Sequence, residues 1–436
     1  MKKLLVSIVA LLAVVAVAVS SKAFAASPEV TDVISPTGLT GLQRTWAAST
    51  VDYNNDGLED IWIGYHQQVD SKLMRNNGDG TFTYVAPDFT KRKNAQGGVF
   101  DRHDCQWADV DHNGLMDAYC SGGRNLSNYY KTAEKDNEMW MQYTPGNFTD
   151  VGTEWGIGDA CGRGRFVAFA DFNNDGWADL FVGNEKPRSV TDTACDPLAN
   201  TYQHEYSKVF INTGGTGFRF APEFQTPQPS AGVNCAIPVD YNHDGWTDLV
   251  ACNYKTSRPA LYRNNAGKSF TEVGSQTGIK LTAMTDGEYT DITGDGIKDL
   301  LGSDKNGIFY RPGTATGFGT AVRLYTNNLA SNSNLFGWGV ATGDVNGDGQ
   351  LDIYCLIHDL SLNTNPDDTV LIGTGYSAPG KPSYRAYTVP SATGNASTVT
   401  ALHVTPGEPI QFFVQNGLED KDGPNQLIKF TTLSLQ

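Results

Sequence analysis

The sequence predicts an all-β protein, a seven-bladed β-propeller of four-stranded antiparallel blades. Three observations support this prediction. A nine-residue acidic loop recurs six times, and successive copies start 51 to 69 residues apart, which is the spacing of a structural repeat. Short segments of strand-like composition flank each loop, and the chain has almost no amphipathic helical pattern. Four strands in each period make one propeller blade.

Residues 1–25 are expected to lie outside the fold. Met1-Lys2-Lys3 is a basic start, Leu4–Val19 is an apolar run, and Ala23-Phe24-Ala25 is an A-x-A cleavage site. Together these features are typical of a secretory signal peptide. A membrane anchor is the weaker alternative, because no basic stop-transfer cluster follows the run. We therefore expect an exported protein, periplasmic or secreted, whose residues 26–436 form a single propeller domain with no membrane span.

Each acidic loop carries oxygen side chains at positions 1, 3, 5 and 9 and a glycine at position 6, as in Asp52–Asp60, which reads DYNNDGLED. Alternate residues of a curled loop point inward, and the glycine permits the turn that brings position 9 round to close a cage. A flexible cage of oxygen ligands suits calcium better than magnesium. Asx turns are the alternative explanation of this acidic motif. They explain a single copy as well as a metal site does, but they explain six copies poorly.

The predicted metal ligands are positions 1, 3, 5 and 9 of all six loops. They are Asp52, Asn54, Asp56, Asp60, Asp109, Asp111, Asn113, Asp117, Asp171, Asn173, Asp175, Asp179, Asp240, Asn242, Asp244, Asp248, Asp291, Thr293, Asp295, Asp299, Asp344, Asn346, Asp348 and Asp352. A hydroxyl is a poorer ligand than a carboxamide, so the loop with Thr293 is expected to be the weakest of up to six calcium sites. The loop is not an EF-hand, because position 12 offers no glutamate and the flanks read as strands.

Further segments supply the outer strands and close the ring. Third strands are predicted at Lys72–Asn76, Lys208–Asn212 and Ala260–Asn264, and fourth strands at Phe82–Val85, Phe148–Val151 and Phe270–Val273. After the sixth loop the chain runs through one more unit, whose turn at Pro406–Pro409 lacks the ligands. This unit has no fourth strand of its own, but Val30–Val33 matches the fourth-strand pattern. We therefore predict that the N-terminal strand completes the last blade.

The negative charge of the chain belongs largely to the loops. The formal net charge is −16, and eighteen of the 48 acidic residues are loop ligands. Metal ligation therefore accounts for much of the acidity. Nucleic-acid binding needs basic stripes, so this class of partner is excluded.

The seven cysteines of an exported chain suggest disulfides. The predicted bridges are Cys105–Cys120, Cys235–Cys252 and Cys161–Cys195. The first two pairs flank loops two and four in the same hairpin register, which brings their Cα atoms within bridging distance. The third pair falls on the face opposite the loops. Cys355 is left as a buried thiol, and seven reduced cysteines are the alternative.

The repeated D-x-[DN]-x-[DN]-G-x-x-D pattern resembles the FG-GAP/VCBS repeat family, whose calcium-loop propellers include the head of integrin α subunits. The resemblance covers essentially the whole chain after residue 25. It implies a β-propeller with calcium between the first and second strands of each blade. It leaves function open, because the family contains adhesion modules, lectin-like binders and a few polysaccharide-active enzymes.

Ligand recognition is expected on the face opposite the acidic loops, where the connections are longest. Near the central axis on that face we expect Trp46, Arg102, His103, Arg165, Glu288 and Trp338. The leading hypothesis is a monomeric, non-enzymatic recognition or adhesion module for a glycan or an extracellular protein. The alternative is a polysaccharide lyase or other polysaccharide-active enzyme that uses His103, Arg165 and Tyr254. A structural role in the envelope is third. The sequence contains no nucleophile elbow, phosphate loop or zinc-binding helix motif.

Overall fold

The computed structural model describes residues 29–35, 37–40, 45–65, 70–85, 102–122, 137–159, 164–184, 207–224, 233–253, 259–274, 284–326, 335–359, 366–390, 396–416 and 423–431. The predicted signal peptide, the Cys161–Cys195 bridge and Tyr254 lie outside these residues.

Seven four-stranded antiparallel sheets form the blades, with strands numbered in chain order. The first strand, β1, is Glu29–Asp32. Blade 1 contains β2 Thr45–Val51, β3 Asp60–Tyr65, β4 Lys72–Asn76 and β5 Phe82–Val85. Blade 2 contains β6 Arg102–Ala108, β7 Asp117–Gly122, β8 Glu138–Thr144 and β9 Asn147–Asp150. Blade 3 contains β10 Gly164–Ala170, β11 Asp179–Asn184, β12 Lys208–Asn212 and β13 Phe218–Phe220, followed by a 3-10 turn at Pro222–Phe224.

The remaining blades follow the same order. Blade 4 contains β14 Val233–Val239, β15 Asp248–Asn253, β16 Ala260–Asn264 and β17 Phe270–Glu272. Blade 5 contains β18 Asp286–Thr290, β19 Asp299–Asp304, β20 Gly307–Arg311 and β23 Val322–Thr326, with a small hairpin of β21 Gly313–Thr314 and β22 Gly317–Phe318. Blade 6 contains β24 Leu335–Gly343, β25 Asp352–Asp359, β26 Asp368–Ala378 and β27 Lys381–Val389. Blade 7 contains β28 Ala396–Leu402, β29 Gln411–Asn416 and β30 Gln426–Thr431.

The N-terminal strand closes blade 7. β1 pairs antiparallel with β30, and Val30 lies opposite Phe430. The inner strands of successive blades contact one another around the axis, and β28 of blade 7 contacts β2 of blade 1. The predicted seven-bladed ring and its closure are therefore confirmed.

The hydrophobic core lies between neighbouring blades. The second strand of blade 1 reads Asp60-Ile-Trp-Ile-Gly-Tyr, and all six residues are buried, because a middle strand is covered by a blade on each face. β-branched and aromatic side chains of this kind pack well on a pleated surface. On one face Trp62 packs with Trp140 of blade 2, and on the other Ile61 packs with Phe413 of blade 7. Each seam between blades is thus a small core of its own.

Two of the predicted disulfides are present. Cys105 lies opposite Cys120 with Cα atoms 4.1 Å apart, and Cys235 lies opposite Cys252 with Cα atoms 4.8 Å apart. Cys355 is a free and buried thiol, as predicted. Among the described residues, no helix has the length and apolar character needed to cross a membrane.

Candidate functional sites on the two faces of the ring

Each acidic loop joins the first and second strands of its blade, so all six lie on one face, here named the acidic-loop face. In every loop, positions 4 and 6 have positive φ, between 55° and 74° at position 4 and between 80° and 90° at position 6. Position 6 is always glycine, as the sequence predicted. Position 4 is Asn, His or Gly, residues that tolerate the left-handed region. This second left-handed residue was not predicted.

The carboxylate at position 1 holds the loop in its curled shape by accepting hydrogen bonds from backbone N–H groups of the same loop. Asp52 accepts the N–H of Asp56 at Oδ1 (3.1 Å) and the N–H of Gly57 at Oδ2 (2.8 Å). The same pair of hydrogen bonds recurs at Asp109, Asp171, Asp240, Asp291 and Asp344. Backbone donors therefore hold position 1 in all six loops in the orientation that faces the loop interior.

The carboxylate at position 9 is buried and fixed from two sides. Asp117 accepts the N–H of Val110 at Oδ2 (3.0 Å) and the N–H of Gln142 at Oδ1 (2.7 Å). Equivalent bonds hold Asp60, Asp179, Asp248, Asp299 and Asp352. Position 9 thus joins the start of its loop to the third strand or to the residues just after it.

Burial shifts the titration of these position-9 carboxyls. It raises the pKa of Asp60, Asp117, Asp179, Asp248 and Asp352 to about 7. The carboxylates at positions 5 and 1, or at positions 3 and 1 in loop two, raise it further against the opposing hydrogen bonds. Burial also raises the pKa of Asp299. Burial and the neighbouring negative charges make the ionised form of these carboxyls unfavourable. A bound cation would compensate that charge.

Loop two has the geometry to hold a metal ion. Within the described part of the chain, carboxylate oxygens of Asp109, Asp111 and Asp117 all lie within 4.8 Å of one another. The donors are hard oxygen atoms, the class that calcium and magnesium prefer. The residues therefore fit a divalent cation. In loop five the Thr293 hydroxyl instead lies 3.3 Å from Asp291 Oδ1, and the Thr293 N–H donates to Asp299.

A side-chain amide that sequence reasoning missed clamps each of four loops. Asn212, at the end of β12, donates from Nδ2 to the carbonyl of Ala178 in its own loop (3.2 Å) and to that of Val110 in the preceding loop (2.9 Å). Asn76, Gln142 and Asn264 make the equivalent bonds, although the outer acceptor of Asn76 is His403 of blade 7. The signal in the sequence was the Asn that ends the third strands of blades 1, 3 and 4.

Neighbouring loops also touch directly. The ring of His112, at position 4 of loop two, stacks on Trp177 of the next loop, with centroids 4.0 Å apart and planes inclined by 9°. Asn174 donates from Nδ2 to the carbonyl of Gly245 at 2.9 Å. Position 4 thus contacts the following blade.

On the other face, here named the opposite face, a β-bulge recurs near the start of the inner strand. The bulged residues are Trp46, His103, Arg165, Asn234, Trp338 and Ser397. In the five of these blades that carry an acidic loop, the bulge lies six residues before the first Asp. A bulge leaves one residue unpaired and re-aims its side chain. The side chains of Asn234 and Trp338 lie outside the described part of the structure.

Three consecutive bulges bring Trp46, His103 and Arg165 together, here named the rim cluster. Arg165 Nη1 lies 2.7 Å from His103 Nδ1. The Trp46 and His103 rings are 5.2 Å apart and inclined by 29°, and the Arg165 guanidinium carbon lies 5.6 Å from the Trp46 ring centroid. The structure therefore joins two residues of the predicted enzyme-like set, His103 and Arg165, and adds Trp46.

Arg102, which was predicted near the axis, and His358, near the end of β25, have structural contacts. Arg102 turns into the blade, where Nε and Nη2 contact the Glu138 carboxylate at 2.6 and 3.1 Å and Nη1 donates to Ser71. His358 is buried, with Nδ1 3.1 Å from the carbonyl of Ala396. These side chains brace the blades.

Carboxylates of the inner strands hold neighbouring blades together. Glu288 accepts the N–H and the hydroxyl of Thr342 at 3.2 and 2.6 Å, and Asp286 accepts the N–H of Val340. Asp104 accepts the N–H of Val167 in the same way. Burial raises the pKa of Asp286 to about 6 and those of Asp104 and Glu288 to about 7.

Comparison with known proteins identifies the repeat. A model of the FG-GAP-like repeat matches residues 52–120, 240–302 and 291–355, and a model of the FG-GAP repeat matches residues 163–186. Every acidic loop falls inside one of these matches. The chain therefore carries FG-GAP repeats, in agreement with the resemblance seen in the sequence.

Relatives share parts of the chain. Mouse cartilage acidic protein 1 is 28% identical over 298 residues, which cover 62% of this chain and 40% of the mouse protein. Mouse integrin alpha-7 is 29% identical over 156 residues, which cover 34% of this chain and 12% of the integrin. The chain thus spans less than half the length of the curated relatives it matches. A solved Agrocybe aegerita lectin structure has a TM-score of 0.52 at 16% identity, covering 86% of this chain and 87% of the lectin, which is a likeness of fold.

Proposed function

We propose that this FG-GAP-repeat propeller is an exported recognition module that binds a glycan or an extracellular protein through its opposite face. The observation that supports this function is the rim cluster, in which three blades present an indole, an imidazole and a guanidinium to one place. Aromatic rings and a planar guanidinium are the groups that bind sugar rings and planar anionic groups.

The protonation of the rim cluster favours binding over proton abstraction. Arginine only donates hydrogen bonds, so His103 Nδ1 accepts from Arg165 across the 2.7 Å contact. A neutral His103 then carries its proton on Nε2, and the lone pair of Nδ1 is engaged. A general base needs a lone pair directed at the substrate, and this arrangement does not supply one.

A matched pair of variants tests recognition at the rim cluster. Purified protein with calcium is applied to an array of glycans, beginning with glycans that end in N-acetylglucosamine, the sugar named for the Agrocybe aegerita lectin. Arg165→Ala should weaken binding about 10-fold or more, because hydrogen bonds from a charged group contribute about 1.5–3 kcal/mol. Arg219→Ala, which removes an exposed arginine of the outer strand in the same blade, should bind as the wild type does. Equal binding by the two variants would contradict the proposal.

The acidic loops are proposed to bind calcium, with positions 1, 3, 5 and 9 as ligands and up to six ions in the ring. Calcium would compensate the clustered carboxylates and brace each hairpin. Extracellular modules bind calcium at roughly 10⁻⁴–10⁻³ M, so titration calorimetry in this range should count the sites. Thr293→Asn should tighten the weakest site, and Asp111→Asn should weaken that of loop two. A protein that takes up no calcium at millimolar concentration would refute this role.

A polysaccharide lyase is the second candidate, because a uronate carboxylate that drew Arg165 away from His103 would release the Nδ1 lone pair of His103 to act as a base. In that reaction Arg165 would neutralise a uronate carboxylate while His103 removes the proton α to it. The glycosidic oxygen at C4 would then leave and be protonated, with a C4–C5 double bond formed. Incubation with polygalacturonate would increase ultraviolet absorbance in the wild type but not in His103→Ala. If the absorbance rises with neither protein, the lyase reaction is ruled out and recognition is the remaining function.

The remaining proposals concern processing and assembly. Residues 1–25 are proposed to be removed as a signal peptide, leaving residues 26–436 as one propeller domain in the periplasm or outside the cell. The mature chain is proposed to be a monomer. Mass spectrometry of the exported protein and sedimentation analysis test these two points.

A further inference from the structure

Position 4 of one acidic loop contacts the turn of the next loop. In loop one, Asn55 Nδ2 donates to the carbonyl of Gly114, which is position 6 of loop two. In loop three, Asn174 Nδ2 donates at 2.9 Å to the carbonyl of Gly245, which is position 6 of loop four. In both cases a residue that lies between two predicted ligands of one loop holds a peptide group next to a predicted ligand of the following loop.

An aromatic stack makes the same link between loops two and three. The His112 ring, at position 4 of loop two, lies nearly parallel to that of Trp177, at position 7 of loop three, with centroids 4.0 Å apart. The indole also reaches the backbone of loop two, because a Cβ added to Gly215 would lie 2.8 Å from Trp177 Cζ3 and 2.9 Å from Asp111 Cα. Trp177 therefore lies beside Asp111, a predicted ligand, as well as against His112.

Trp246 repeats this arrangement between loops three and four. It occupies position 7 of loop four, and a Cβ added to Gly267 would lie 2.6 Å from its Cζ3 and 3.2 Å from Asn173 Cα. Asn173 is a predicted ligand of loop three. Blades 3 and 4 thus each place an indole between their own outer turn and position 3 of the preceding loop.

Side-chain amides bridge the same three pairs of loops. Each amide donates from one nitrogen to a carbonyl of its own loop and to the carbonyl at position 2 of the preceding loop, at 2.7–3.2 Å. The bridging residues are Gln142, Asn212 and Asn264. Because these bridges hold neighbouring loops at a fixed separation, the position-4 contacts can transmit a change from one loop to the next.

The position-4 contacts do not continue beyond loop four. Position 4 is glycine in loops five and six, Gly294 and Gly347, and so has no side chain to reach the next blade. His243, at position 4 of loop four, has no hydrogen bond or ring contact among the described residues. Loops one to four, here named the relay loops, thus form one connected series.

We propose that the relay loops bind calcium cooperatively, so that an ion in one loop raises the affinity of the next. This inference rests on the proposed calcium role and specifies how the sites are regulated. Ligands at positions 3 and 5 flank position 4, so a bound ion fixes the backbone that carries the linking side chain. A neighbouring loop whose turn is already held loses less conformational freedom when its own ion binds, which is positive cooperativity. By linkage the effect is equal in both directions.

Charge acts in the opposite direction. An ion in one loop reduces the negative potential at the next and so weakens its attraction for a second ion. Interactions between exposed charges are screened beyond about 8 Å at physiological ionic strength. Hydrogen bonds and ring contacts between touching loops are not screened in this way. We therefore expect the contacts to outweigh the charge effect at physiological salt.

The test removes the links and keeps every ligand of the relay loops. Asn55, His112 and Asn174 all have positive φ, so glycine can replace each without backbone strain, and loops five and six already carry glycine there. To limit the titration to the relay loops, the parent protein is the full chain with Asp295→Ala and Asp348→Ala, which remove a ligand from loops five and six. Calcium binding is measured by calorimetry at physiological salt.

The parent should give a Hill coefficient above 1. The triple variant Asn55→Gly, His112→Gly, Asn174→Gly should bind the same number of ions as the parent, with a Hill coefficient near 1. It should also need about 5-fold more calcium for half-saturation, the lower end of typical coupling between sites.

His243→Gly in the same parent is the matched control, since it makes the same change at position 4 of loop four and breaks no link to a following loop. It should leave the Hill coefficient and the half-saturating calcium concentration unchanged. A parent whose sites fill independently, or a triple variant that titrates as the parent does, would overturn the coupling and leave the calcium role standing. A protein that binds no calcium at all would overturn both.

Discussion

Replacing Asn76 with alanine is expected to destabilise the ring at its closing seam. Asn76 is 1% exposed, and Nδ2 donates to the carbonyls of Glu59 and His403 at 3.1 Å each. Its Oδ1 accepts the N–H of Gly78 at 2.9 Å. Three hydrogen bonds at about 1 kcal/mol each give a loss of about 3 kcal/mol, and the bond to His403 is the one that joins blade 1 to blade 7.

Urea unfolding followed by tryptophan fluorescence, in saturating calcium, measures this loss. With a slope of about 3 kcal/mol per molar urea, the midpoint should fall by about 1 M. The control is Asn77→Ala, since Asn77 is the exposed neighbour whose Nδ2 bonds only the hydroxyls of Thr81 and Thr83. That variant should stay within about 0.5 kcal/mol of the wild type. Identical midpoints for the two variants would refute the clamp.

Three further predictions concern the loops, the axis and the disulfides. Calcium removal with a chelator should lower the melting temperature, and readdition should restore it; an unchanged melting temperature would contradict metal binding. The folded-state pKa of Glu288 is raised to about 7, so its stabilising contribution is complete below pH 4 and is lost as pH rises through 7. The free energy of unfolding is measured in saturating calcium at pH 5 and at pH 8. It should fall less between these two pH values for Glu288→Gln than for the wild type. An equal fall in both proteins would exclude this role of Glu288. Replacement of both Cys105 and Cys120 with alanine removes a bridge with a sequence separation of 15. It should lower the free energy of unfolding by about 3 kcal/mol. Adding reductant should not lower the stability of this variant any further through that pair.

Much of the architecture could be predicted because the repeat is local. The acidic loop fixes a hairpin, and the apolar run after its last Asp fixes a strand buried on both faces, as in Asp60–Tyr65. The disulfides at Cys105–Cys120 and Cys235–Cys252 followed from hairpin register alone. Even the closing strand could be predicted, since Val30–Val33 repeats the fourth-strand pattern. These features depend on residues close in sequence or on the repeat itself.

The contacts between blades could not be predicted in the same way. Asn212 reaches a carbonyl 102 residues away, and Trp46, His103 and Arg165 meet only because three blades carry a bulge at the same depth. Arg102, adjacent to His103, was expected beside it at the axis but turns into a buried pair with Glu138. A one-residue difference in a strand reverses the face of a side chain, so bulges decide which of two neighbours faces the axis.

The sequence by itself therefore determined the repeat, the number of blades and the closing strand, because each follows from local spacing. Only the tertiary structure decided which side chains meet at the rim cluster and across the seam between blades 7 and 1, where Thr45 donates to Asn425. Those meetings depend on the register between strands of different blades and on the ring that brings residue 45 beside residue 425, and neither leaves a local pattern in the chain.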